Sequence, residues 1–182
     1  MKKLIYFLLS LTVFVSCNLS ETKKKLEEED KKKRLATIEQ LNKEYNESFK
    51  LGKPDEGKAA SLLRNYLDYS EKYPEDSLSP DFLFKTAQLA ISLRRFDEGV
   101  KYLQKFRTLY KDHPLDPMVL FTLGFTYENH LNDLGKAEKY YQEFLNKYPN
   151  HELANDVDLM IQNLGKSPEE IINRANQNNS VQ

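Results

Sequence analysis

From Leu35 onward the apolar residues Leu35, Ile38, Leu41, Tyr45 and Phe49 recur every three or four positions, the period of one helix face, and predict a first packed helix over 35–50. Gly52, Pro54 and Gly57 then break the pattern. Beyond them the periodicity stays helical to about residue 175, without the alternation that would predict a strand. Three stretches end alike: YLDYSEKYP at Pro74, FRTLYKDHP at Pro114 and FLNKYP at Pro149, spaced by 40 and 35 residues. Recurrence in that range predicts a solenoid of helix pairs, each able to bury its apolar face only against a neighbour.

Two helix starts share one signal. In LSPDFL, Ser79 is placed to cap, Pro80 to take the first helical position and Leu78 to staple onto Leu83; in LDPMVL, Asp116, Pro117, Leu115 and Leu120 repeat the arrangement. After Pro149 a helix from about His151 to Asn163 stops at Gly165. Ser167, Pro168, Glu169 and Glu170 open a last short helix with a capping box, and NQNNSVQ frays, leaving 177–182 as a disordered tail.

The third unit runs Leu120, Leu123, Gly124, Tyr127, then Ala137, Tyr141, Phe144 and Pro149. It resembles a tetratricopeptide repeat, with one extra residue in the turn between its helices and Leu120 where Trp is usual. The second unit gives Leu83, Thr86, Ala87, Ala90, Gly99, Leu103, Phe106 and Pro114, with a second helix three residues longer than the pattern. The first shows only its second half, in Ala59, Leu63, Tyr66 and Pro74. The resemblance spans about residues 56 to 150 and implies an all-α fold: a short α-solenoid of such helix pairs with extra N- and C-terminal helices, over 35–176. It further implies that the first helix of each unit lines a concave groove, with Phe84, Gln88, Phe121, Phe125 and Glu128 facing outward. The helix from Pro117 to His130 is apolar almost all round, since Met118, Phe121 and Phe125 add to its packing face. Either these phenylalanines line an open groove for an apolar peptide or partner helix, or neighbouring helices cover them.

The N-terminus changes the picture of where such an array works. Lys2 and Lys3 precede an apolar run from Leu4 to Val15, too short for the ~20 residues of a spanning helix, and read as an export signal over residues 1–16. Phe14-Val15-Ser16-Cys17 resembles the lipobox of bacterial lipoproteins, with Phe14 where Leu is usual. The resemblance implies acylation of Cys17, the chain's single cysteine; the alternatives are a signal cut elsewhere or a free thiol. Residues 17–34 form a charged tether in which Glu27, Glu28, Glu29 and Asp30 each precede a base by four, every such pair supporting a helix by about 0.2–0.5 kcal/mol. The tether serves as a spacer, or Lys23, Lys24 and Lys25 touch lipid headgroups.

Composition bounds the rest. A chain of 182 residues that is 40% hydrophobic and 30% charged supports one modest core. With 27 basic against 28 acidic residues, interleaved, it offers no field to recruit nucleic acid. His113, His130 and His151 are too scattered for a metal, and no phosphate loop or nucleophile elbow occurs, so neither metal, cofactor nor enzymatic activity is expected. The expectation is a membrane-anchored lipoprotein of the bacterial cell envelope whose repeats bind a protein or peptide. It is similar in style to the tetratricopeptide lipoproteins of outer-membrane β-barrel assembly, which have more repeats, and to the repeat-bearing coordinator of the Tol-Pal system. By that resemblance, Asn18 after Cys17 implies the outer membrane. The rival expectations are a carrier of a small hydrophobic ligand, enclosed by Phe84, Phe121 and Phe125, and an accessory subunit of a surface or secreted complex.

Overall fold

The computed structural model describes the backbone of residues 2–167 and 169–173, and the side chains of residues 21–167 and 169–173. Among the described residues every regular element is a helix: α1 (Lys2–Lys50), α2 (Glu56–Lys72), α3 (Ser79–Ser92), α4 (Phe96–Leu109), α5 (Asp116–Asn129), α6 (Leu134–Lys147) and α7 (Ala154–Asn163), followed by a short turn of helix at 169–173. No described helix is long and apolar enough to cross a membrane. The chain divides into two compact units, residues 1–69 and 70–182, with the boundary inside α2.

In the first unit the stretch read as a tether and the stretch read as a packed helix are consecutive parts of α1. Pairs at i, i+4 lace the charged part, with Lys31 to Glu27 at 3.7 Å and Arg34 to Asp30 at 2.7 Å. Farther along, Ile38 is buried while Leu41 and Tyr45 are half-buried. Phe49, expected to complete the stripe, is instead 57% exposed. The reason is local: Gly52, at φ +70°, turns the chain out of the helix just beyond it, and Tyr45 meets the ring edge-on at 5.6 Å. α1 is tied to α2 by the Tyr66 hydroxyl, which donates to Asn42 Oδ1 at 2.6 Å, and by Lys58 to Glu44 at 3.6 Å. Asp55 caps α2, accepting the Lys58 N–H at 3.0 Å.

The second unit repeats itself at backbone level. Ahead of α3, α5 and α7 the same tight turn recurs: Asp76 N–H donates to Tyr73 O, His113 N–H to Tyr110 O and His151 N–H to Tyr148 O. The side chains of Asp76, His113 and His151 in turn accept the N–H of Leu78, Leu115 and Leu153 at 3.0, 3.2 and 3.2 Å. The repeat is therefore marked by Tyr73, Tyr110 and Tyr148, 37 and 38 residues apart, rather than by the prolines. Pro149 follows its tyrosine directly, as Pro74 does, whereas Pro114 stands four residues beyond Tyr110; the uneven spacing of 40 and 35 comes from matching positions that are not equivalent.

The turn also displaces the expected caps. Leu78 and Leu115 already have helical backbone angles and occupy the cap position without a side-chain bond, so Ser79 and Asp116 stand one place inside their helices. Their first N–H groups are satisfied by the turn, Ser79 N–H by Asp76 O and Asp116 N–H by His113 O. Freed from capping, Ser79 Oγ donates to Tyr73 O at 2.6 Å, and Asp116 becomes the centre of a buried ion network. Where the sequence offers a capping box at Ser167 and Glu170 it does form, with Ser167 N–H on Glu170 Oε2 at 2.7 Å and Glu170 N–H on Ser167 Oγ at 3.3 Å.

Ala87, Ala90, Gly99, Leu103 and Phe106 in one pair, and Leu120, Leu123, Gly124, Tyr127, Ala137, Tyr141 and Phe144 in the next, are all buried; Pro149 is exposed. At Gly124 α5 and α6 approach closely, for a Cβ there would lie 2.4 Å from the Tyr141 ring. The turn of the later pair, between Asn129 and Leu134, holds one residue more than the turn between Ser92 and Phe96. α7 ends the array. At the places where α5 presents buried Leu120 and Gly124, α7 carries exposed Asp158 and Gln162, bonded to each other at 2.6 Å. A polar outer face of that kind leaves nothing for another pair to stack on.

A candidate protein-docking groove between the last first helices

Because α3, α5 and α7 follow one register, residues 37 or 38 apart form rows across the face they share. One row is Phe84, Phe121 and Leu159; the next is Gln88, Phe125 and Asn163; a third is Ile91, Glu128 and Lys166. Exposure climbs along the first row. Phe84 is 8% exposed, Phe121 half-buried and Leu159 53% exposed. Between α5 and α7 this opens a groove of about 520 Å³, whose lining includes Phe121, Phe125, Glu128, Asp156, Leu159 and Met160. Asn129, Asn163, Lys166 and Ile171 also border it.

Of the five residues expected to face a groove, Phe121, Phe125 and Glu128 come together here. Gln88 is exposed but away from it. Phe84 is a correction: its ring turns inward, edge-on to Phe106 at 6.4 Å, and the outward position implied for it is overturned. The three phenylalanines therefore do not enclose one cavity, as a ligand carrier would need.

The groove's aromatic wall is held from behind. Phe121 and Phe125 stack at 6.2 Å, Phe125 meets the edge of His130 at 5.9 Å, and His130 lies flat on Phe96 of α4 at 4.4 Å. Glu128 is fixed likewise, since its Oε2 accepts the Tyr141 hydroxyl at 2.7 Å. Burial, first, and the adjacent Glu128 carboxylate, second, push the Tyr141 hydroxyl far above its ordinary range, so it remains a donor.

At the start of α5, Asp116 ties the helix to α4 and to the end of α6. It accepts from Arg107 Nε at 3.0 Å, Lys147 Nζ at 2.8 Å and the Tyr148 hydroxyl at 2.8 Å, and Arg107 also makes a two-pronged contact with Glu143. Burial alone would raise the Asp116 pKa, but the bonds from Lys147, Tyr148 and Arg107 outweigh it and hold the carboxyl below its usual range.

The wall that sequence reasoning missed is α7. Aligning Leu153-Ala154 with Leu115-Asp116 puts Leu159 on the place of Phe121 and Asn163 on that of Phe125, a signal hidden by the proline alignment. Cys17 lies on α1 but outside the residues whose side chains are described, and 177–182 lie outside the described residues. Among the described residues no three His, Cys, Asp or Glu side chains gather as a metal would need.

Comparison with known families agrees with the register. The tetratricopeptide repeat family matches residues 81–113 and 118–151, offset by 37 and 38 at their two ends, each stretch covering one helix pair. No curated protein matches the chain. The fold is an all-α solenoid of tetratricopeptide-type helix pairs, and repeats of this type support protein–protein interaction, typically without catalysis.

Proposed function

Taking these two repeats as the premise, we propose that the chain is a lipid-anchored scaffold of the bacterial cell envelope, which uses the α5–α7 groove to hold another protein. The observation that carries the docking role is the apolar strip of Phe121, Phe125 and Leu159, left open beside the packed seam of α5 and α6. A partly apolar groove with rigid walls is the form in which helical repeats present themselves to a peptide or amphipathic helix. The anchor is supported by the sequence: the positive residues Lys2 and Lys3, the apolar run and the lipobox-like residues ending at Cys17. An acyl chain on Cys17 would confine the repeats to a membrane face.

Two measurements separate these parts. A photocrosslinking amino acid at Phe125 in cells should trap a defined protein that the same probe at exposed Gln104 of α4 does not; equal, indiscriminate capture at both sites would defeat the docking role. Fatty-acid labelling of the wild type and of Cys17→Ala should mark the wild type alone. Label retained on the variant would remove the anchor.

A further inference from the structure

We propose that the groove selects a partner segment bearing a lysine or arginine beside its apolar anchors, and that Glu128 is the residue that reads this cation. The inference rests on the groove being the docking site of the preceding section.

The apolar lining alone would accept almost any greasy segment, so the class of partner is set by the charges among which it lies. Several partly buried carboxylates here are matched by cations: Asp116 by Arg107 and Lys147, Glu143 by Arg107, Asp30 by Arg34. Glu128 is different. It is half-buried beside Phe125, its Oε2 is occupied by a tyrosine hydroxyl, and it meets no cation among the described residues. Asp156, bordering the same groove where Met118 stands one repeat earlier, meets none either. Lys166 also borders the groove, but its ammonium donates to the Gln162 carbonyl at 2.5 Å and pairs with neither carboxylate, so the charged side chains around the groove still sum to one negative charge.

An apolar groove with two unmatched carboxylates is complementary to a cationic, apolar segment. As the segment displaces water, the pairing with Glu128 strengthens because the local dielectric falls. The stacked faces of Phe121 and Phe125 add an attraction for a guanidinium or ammonium that neutral side chains lack. A neutral segment would instead cover Glu128 without replacing the water it lost, and an acidic one would meet repulsion. Tyr141 makes the arrangement specific, since a fully buried ring fixes the carboxylate that its hydroxyl holds.

The test is selection of a random displayed peptide library on the full chain, followed by titration of synthetic peptides from the consensus with Lys, norleucine or Glu at the charged position. Binding lost in Phe125→Asp identifies peptides that use the groove. Those peptides should be enriched in Lys or Arg next to aliphatic or aromatic residues. Glu128→Gln, which keeps an acceptor for Tyr141, should weaken the Lys peptide about tenfold and leave the norleucine peptide no weaker; Glu128→Lys should invert the preference toward the Glu peptide. Groove binders without a basic preference, or with affinities indifferent to Glu128→Gln, would overturn the cation reading and leave the docking site standing. Failure to recover any peptide sensitive to Phe125→Asp would overturn both. Self-association of the chain that Phe125→Asp abolishes would make a second copy the occupant and also overturn the proposal.

Discussion

Gly124→Ala tests the packing that the groove depends on. The new methyl would stand 2.4 Å from Tyr141 Cε1, 2.5 Å from Cδ1 and 3.0 Å from Cζ. Comfortable carbon contacts begin near 3.5 Å, so α5 and α6 must separate, or the ring withdraw, by about 1 Å. The ring has little freedom to do so: Tyr141 is fully buried and its hydroxyl is tied to Glu128. Overpacking of a fixed core costs about 1–3 kcal/mol, and a fully buried, anchored ring belongs at the upper end of that range. At roughly 2–4 °C per kcal/mol for a chain of this length, Tm should fall by about 5–10 °C. Gly99→Ala is the internal control. Its methyl would press at 2.5 Å on Cγ1 of Ile91, a half-buried aliphatic side chain able to shift, although the Ala87 carbonyl at 3.2 Å limits relief, and about 1 kcal/mol is expected. Urea unfolding at matched m-values measures both. The decisive comparison is a double-mutant cycle with Tyr141→Leu, in which the smaller side chain should recover more than 1 kcal/mol of the Gly124→Ala loss. Strict additivity, or a Gly124→Ala variant within 0.5 kcal/mol of the wild type, would refute the close-packing account. Because the displaced ring carries Glu128 with it, the same variant should also weaken groove binding.

Three further outcomes follow from the geometry. Asp116→Asn should lose about 2–3 kcal/mol at neutral pH, because Arg107 and Lys147 are left without their shared carboxylate in a partly buried site. Since Asp116 is depressed in the folded state, its contribution is complete above its unfolded pKa of about 3.9 and is lost as pH falls through the lower folded value; wild type and variant should therefore converge in acid urea titrations, and a constant gap from pH 7 to pH 2 would contradict the assignment. Arg94→Gly should stabilise by about 0.5–1 kcal/mol in urea, since Arg94 sits in the turn after α3 at φ +61°, where a side chain is strained; a destabilised variant would show that the arginine makes an unsuspected contribution. Tyr66→Phe should cost about 1 kcal/mol by removing the 2.6 Å bond to Asn42, and exchange protection of α1 amides near residue 42 should fall with it.

How far the sequence reveals this molecule depends on what kind of information a given residue carries. The helix pairs are legible because their determinants are local and periodic: small Gly124 and Ala137 against large Tyr141 and Phe144 read directly as a seam, and these residues are buried. The caps at Ser79 and Asp116 mislead because a side chain that suits a cap also suits other acceptors and donors, and the choice is made by a turn that has already satisfied the N–H groups. Nothing in LDPMVL announces that Arg107, nine residues earlier, and Lys147 and Tyr148, some thirty later, converge on its aspartate. The groove lies between these cases. Phe121 and Phe125 betray themselves as apolar residues in excess of one packing face, but whether such residues face water is decided by the next helix. For Phe84 the ring is turned inward against Phe106, while for Phe121 and Phe125 the next first helix is α7, whose outer positions Asp158 and Gln162 end the stack. Phe121 and Phe125 gain a facing wall from α7 without further pairs, and extending the array past α7 would require replacing the polar pair of Asp158 and Gln162.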